Sequence, residues 1–162
     1  MVARNHDCRL HEGEPVQIGS YTVYAGGIYL SEENLAQTDL LVSFCDRDPV
    51  NVSSRGGGRL KFPMVDFGGV PESFGAFLEA SVIPVMEHGL RVTIHCKGGF
   101  GRTGTALAGL IALLEPDVSD PVAAVRKRYC PYAVETPAQE AGITALRNAV
   151  LAKRSTAVEE GE

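Results

Sequence analysis

The chain has 162 residues, 44% hydrophobic and 22% charged, the balance of an ordinary soluble globular domain. That length can bury roughly two-thirds of its unfolded surface, enough for a real core. Its 18 glycines and 9 prolines fall short of a low-complexity or collagen-like chain. With 15 basic and 20 acidic residues the net charge is −5, which argues against a nucleic-acid partner, because such binders carry a basic excess.

No apolar stretch approaches 18 residues, so no membrane span is expected. Residues 1–10 lack the apolar segment of a signal peptide. Cys8, Cys45, Cys96 and Cys130 are not spaced as a zinc clip, and a chain of this size needs no disulfide scaffold. A reducing, cytoplasmic setting is the expectation.

Residues 1–20 are polar and mixed and read as an N-terminal arm. Residues 21–24 and 28–30 flank Gly26-Gly27 and predict two short strands around a turn. Ser31 before Glu32-Glu33 is a helix start. Residues 40–45 form a continuous apolar run, as in a strand buried on both faces. Residues 46–58 are a loop rich in Asp, Ser and Gly. Residues 60–65 read as a strand kept from a central position by Pro63. Pro71 and Gly89 bracket a helix over 73–88, with a kink at Pro84. Residues 91–95 are a β-branched strand, 96–101 a Gly-rich loop, and 102–115 an Ala/Leu-rich helix that stops before Pro116. Asp120-Pro121 opens a helix to 129, and Thr136-Pro137 opens one to 153. Residues 155–162 read as a disordered acidic tail. The order predicts an α/β fold, a small central mostly parallel sheet flanked by helices, with a single domain over 21–154.

The segment that carries chemistry is His95-Cys96-Lys97-Gly98-Gly99-Phe100-Gly101-Arg102-Thr103-Gly104, a strand feeding a Gly-rich loop feeding a helix. Glycines let backbone N–H groups turn inward around an anion, and the helix N-terminus adds free donors and positive potential. The loop ends in Arg102-Thr103 rather than the Lys-Ser/Thr of an ATP P-loop. A thiol among such donors and a guanidinium is expected to ionise readily and act as a nucleophile. Arg102 can grip two phosphate oxygens as a fork. Thr103 is expected to donate to the sulfur. The plainer reading of the same residues is a buried cysteine before a helix-capping glycine turn.

This loop matches every fixed position of His-Cys-x5-Arg-Ser/Thr-Gly, and it resembles the cysteine-dependent protein tyrosine phosphatases. Over roughly residues 40–141 the chain looks most like their compact dual-specificity branch, which includes Cdc14-like, kinase-associated and phosphatase-and-tensin types. The resemblance implies a phosphatase fold and hydrolysis of phosphate monoesters through a phosphocysteine, with no cofactor or metal. Lys97, Gly98, Gly99, Phe100, Gly101 and Arg102 would bind the phosphate, and His95 would support the loop. The family's general acid lies about thirty residues before the cysteine, the position of Asp66; Asp46 and Asp48 are weaker competitors. A proton donor is required because an alkoxide or phenoxide leaves poorly.

Thr136 and Gln139 fit a helix capping box. The resemblance gives Gln139 a second role, placing the hydrolytic water. It also makes Cys45 a candidate redox partner of Cys96, against the plain reading of a small buried hydrophobe. Phe67 and Phe100 either pack on an apolar leaving group or belong to the core. His6, His11 and His88 read as surface residues. Arg126-Lys127-Arg128 reads as a solvated helix end that an acidic substrate could also meet.

The expected substrate is a phosphorylated protein carrying phosphotyrosine or phosphoserine/threonine, handled by a monomer, the family default. A phosphoinositide or other small phosphate ester is the alternative, kept open by Lys97. A phosphate-binding module without turnover, a sulfurtransferase and an arsenate reductase are the competing classes.

Overall fold

The computed structural model describes residues 11–50, 57–65 and 68–160. Five strands form one sheet: β1 (Glu12–Ile18), β2 (Tyr21–Gly26), β3 (Leu40–Ser43), β4 (Gly58–Lys61) and β5 (Val92–His95), in the order β1-β2-β5-β3-β4. β1 and β2 are an antiparallel hairpin, and every other pair is parallel. The central strands β3 and β5 are buried at all four positions, which is why their sequences run apolar without alternation. The register sets Gly26 and Ser43 beside His95, and Lys61 beside Ser43. Four strands therefore end along one edge, the edge at which open parallel sheets bind ligands.

Among the described residues five helices flank the sheet. α1 (Glu32–Gln37) starts at Ser31, whose hydroxyl accepts from Asn34 N. α2 comprises Phe74–Phe77, a π-helical turn over Leu78–Val82, and Ile83–Glu87. The kink expected at Pro84 is realised in that wider turn, which accommodates a residue that can neither donate nor approach the carbonyl four positions back. α3 (Gly101–Leu114) is buried continuously from Gly101 to Ala112, so it is apolar all round rather than on one stripe. α4 (Pro121–Arg128) begins at Asp120, whose carboxylate accepts from Ala123 N. α5 (Pro137–Glu160) closes the chain. The main core lies between the sheet and α2–α5, with Phe44, Phe62, Phe74 and Phe77 as its aromatic centre. A small cluster of Leu30, Leu35 and Leu41 fills the other face under α1.

The sequence expectations need four corrections here. The arm expected over 1–20 contains β1, so the folded unit starts before residue 21; Val16 and Ile18 supply its buried side. Residues 28–30 are not a strand. Ile28 N donates instead to Lys97 O and Gly27 N to His11 O, so this backbone docks on the Cys96 loop. The strand expected over 60–65 is Gly58–Lys61, an edge strand that ends before Pro63. The tail expected over 155–162 is helical to Glu160, since Ala, Lys, Arg and Glu favour helix and no breaker precedes Gly161. Among the described residues no helix is long and apolar enough to cross a membrane.

Candidate active site

His95 ends β5 with its side chain fully buried. Nδ1 lies 3.2 Å from Cys96 O, and Nε2 lies 2.6 Å from Ser43 Oγ. A carbonyl can only accept, so Nδ1 carries the proton and Ser43 donates to Nε2. Burial lowers the His95 pKa from 6.5 to about 4, so the ring is neutral near pH 7. It fixes the strand end rather than acting as a base.

Cys96 is 2% exposed, and its sulfur accepts the Gly99 N–H at 3.2 Å. Gly99 has φ +84, a conformation that needs glycine, and a Cβ there would sit 2.9 Å from Gly27 N. Lys97 is exposed at the rim. Gly98 continues the turn, and Gly101 opens α3, so the loop runs directly into a helix N-terminus. The half-buried Phe100 ring packs 5.3 Å from His11 and 6.1 Å from Tyr132.

Arg102 is 7% exposed on the first turn of α3, and Nη1 donates to Met64 O at 3.0 Å. This bond ties the guanidinium to the segment leading to residue 66. Asp66 and Phe67 lie outside the described residues, as do Cys8 and His6. Gly68 N donates to Val65 O. Asp48 is ion-paired with Arg59 and Lys61, and Arg59 first and foremost holds its carboxyl below the usual range. Asp46 is exposed.

Thr103 departs from expectation. Its hydroxyl donates to Gly26 O at 3.0 Å, not to the sulfur. The same carbonyl accepts Cys96 N at 3.3 Å. The strand end of β2 thus gathers both sides of the loop, and only folding brings that acceptor within reach.

Gln139 is 2% exposed. Its backbone N donates to Thr136 Oγ1 at 3.1 Å, and its Oε1 accepts Glu135 N at 2.7 Å. The helix-capping reading is therefore realised and occupies the side-chain oxygen. Cys45 is free and 1% exposed, with its thiol donating to Arg47 O at 3.3 Å. Burial pushes its pKa up, and the charges of Cys96 and Arg102 also act on it.

Several residues here carried no sequence signal. Ser43 orients His95. His11, expected at the surface, is 1% exposed, with its Nδ1 hydrogen-bonded to the Glu14 carboxylate. Tyr129 donates its hydroxyl to Gly99 O at 2.6 Å. Glu135 lies against Gly101, where any added Cβ would collide with its carboxylate. The basic run is not simply solvated. Arg126 binds Ala133 O, Val134 O and Glu140, while Arg128 binds Glu115 and Gln17 O. These are pairings between sequence-distant groups, and no local pattern encodes them.

The arrangement is a buried thiol just past the end of β5, a glycine loop whose Gly99 amide meets that sulfur, and a buried arginine on the first turn of the helix that follows. Its fold is that of the protein-tyrosine and dual-specificity phosphatases. The chain superposes on Tk-PTP in its active form with TM-score 0.65 and 22% identity, over 83% of this chain and 96% of that one. It superposes on kinase associated phosphatase, in a form whose catalytic-site cysteine is replaced by serine, with TM-score 0.70 and 16% identity, over 86% of this chain and 97% of that one. A 49-residue segment is 49% identical to uncharacterized protein MJ0215 of Methanocaldococcus jannaschii, and it spans 30% of each chain. No family model matches the chain.

Proposed function

We propose that the protein is a phosphatase that hydrolyses phosphate monoesters, with phosphotyrosine and phosphoserine/threonine of proteins as its substrate class. The observation that carries this reading is the Gly99 N–H on Cys96 Sγ, with Arg102 buried across the same loop. The thiolate attacks phosphorus in line. Arg102 and the loop amides hold the non-bridging oxygens as charge develops. Asp66 protonates the leaving oxygen, giving a phosphocysteine. Asp66 then takes a proton from water, with Gln139 helping to place it, and the Cys96–phosphorus bond breaks to release phosphate. His95 and Thr103 act by holding the loop. No cofactor enters this sequence.

The test is hydrolysis of p-nitrophenyl phosphate under reducing conditions without added metal. Cys96→Ser should lose roughly 10³-fold or more of kcat, and Asp66→Ala roughly 10²-fold. Substantial activity in Cys96→Ser would reassign the nucleophile. A folded, reduced wild type that binds vanadate without turnover would support a binding module instead. Lys97 at the open rim favours one second reading, a phosphoinositide. Comparing kcat/KM on phosphopeptides and inositides decides between the two.

Cys45 extends the reading. Peroxide converts the Cys96 thiolate to a sulfenic acid, which condenses with the Cys45 thiol to a disulfide and water. Inactivation should then be reversed by dithiothreitol in wild type and become progressively irreversible in Cys45→Ser. Full recovery in Cys45→Ser would remove the latch.

A further inference from the structure

Behind the Cys96 loop stands a wall that the mechanism above leaves unused. Tyr129, 8% exposed at the end of α4, donates its hydroxyl to Gly99 O at 2.6 Å. Its ring lies 4.8 Å from the buried His11, which meets Phe100 edge-on at 5.3 Å. Among the described residues every peptide bond is trans. In a trans peptide the C=O and the following N–H point in opposite directions. A Gly99 carbonyl turned outward to Tyr129 therefore turns the Phe100 N–H inward. One peptide earlier, the Gly99 N–H meets Cys96 Sγ at 3.2 Å.

We propose that Tyr129 is a positioning residue of this site, holding the Gly99–Phe100 peptide so that the Phe100 amide faces a bound oxyanion. The need for such a hold is local. Gly98, Gly99 and Gly101 leave this backbone free to rotate. If the peptide turned over, a carbonyl would face the anion and repel it, and one oxyanion donor would be lost. The packing of His11 against Tyr129 and Phe100 fixes both ends of this brace. The proposal rests on the phosphatase reading for its effect on turnover, but only on anion binding for its effect on affinity.

Tyr129→Phe keeps the ring and removes the hydroxyl. Relative to wild type, the orthovanadate dissociation constant should rise roughly ten-fold, and kcat on p-nitrophenyl phosphate should fall by a similar factor. In wild type, vanadate should shift the amide NMR resonance of Phe100. A purely structural Tyr129 would lower Tm while leaving kcat and vanadate affinity per folded molecule unchanged, and that result overturns the proposal. So does an unmoved Phe100 amide, whether or not the variant folds. If wild type binds vanadate without hydrolysing esters, the phosphatase reading falls, and the brace stands or falls on Tyr129→Phe alone. If wild type binds no vanadate, both fall.

Discussion

Strands β3 and β5 lie side by side with Ser43 opposite His95, and each delivers a buried free cysteine just past its end. The surroundings of the two sulfurs are opposite. Cys96 accepts a backbone N–H and sits in a glycine loop that runs into α3, with Arg102 on the first turn of that helix. Cys45 gives its thiol proton to a carbonyl, and burial pushes its pKa up. Sheet position alone thus does not fix what a thiol meets. The direction of the neighbouring peptide groups does, and the positive φ of Gly99 belongs to the residue whose N–H reaches the Cys96 sulfur.

The comparison breaks most sharply at Arg102. Lysine keeps the charge but not the planar fork that spans two oxygens and reaches Met64 O. Arg102→Lys should lower kcat/KM on p-nitrophenyl phosphate by roughly 10²–10³-fold. A loss under about three-fold would mean that point charge, not geometry, sets the β5 side apart. The next effect separates the cysteines directly. Limited iodoacetamide treatment with peptide mapping should label Cys96 roughly 100-fold faster than Cys45. Equal labelling would mean that the two sulfurs do not differ in reactivity.

His95 sharpens the comparison through pH. Its folded pKa of about 4 lies below the ordinary 6.5. Above pH 6.5 both folded and unfolded states are neutral, and the full stability is present. As pH falls from 6.5 towards 4, the unfolded chain takes up a proton that the native state refuses. Stability should drop across that window by about 3 kcal/mol, at 1.36 kcal/mol per pH unit of difference. Asp48 and Glu115, whose pKa values are lowered by their Arg59 and Arg128 partners, begin to lose their contributions only as pH falls through the ordinary carboxylate range, at the acid end of this window and below it. Urea unfolding at stepped pH should show this slope in wild type and not in His95→Asn. A flat wild-type profile between 6.5 and 4 would contradict a buried neutral imidazole at the β5 exit.

The parts of this site that could be read from sequence share one property. The strand, loop and helix around Cys96 are contiguous, as are the caps at Ser31, Asp120 and Thr136, so the chemistry and its local frame sit within a few residues. β1 was hidden because its first half, Glu12-Gly13-Glu14-Pro15, is polar and lies at a sheet edge, with only Val16 and Ile18 turned to the core. The Thr103 hydroxyl bond is not legible in the sequence because two acceptors compete for one hydroxyl, and the one it meets, Gly26 O, is 77 residues away. His11 and Tyr129 act on the loop through contacts that no periodicity announces.

Arg126, in a basic run that the sequence presents as a solvated helix end, supplies the smallest of these effects. Nε donates to Ala133 O at 2.9 Å and Nη2 to Val134 O at 2.7 Å, with Glu140 at 3.0 Å. Val134 has φ +64, a strained conformation for a β-branched residue that persists only when its surroundings impose it. The strained turn presses Ala133 and Val134 against Gly104 and brings Glu135 onto Gly101. It covers α3 where that helix leaves the β5 exit. Arg126→Ala removes the donors to both carbonyls and should cost roughly 1–2 kcal/mol in urea unfolding, discounted because the side chain is partly exposed. It should also raise the alkylation rate of Cys96 a few-fold while leaving that of Cys45 unchanged. Equal acceleration at both cysteines would mean that the turn supports the whole sheet edge rather than the β5 side alone.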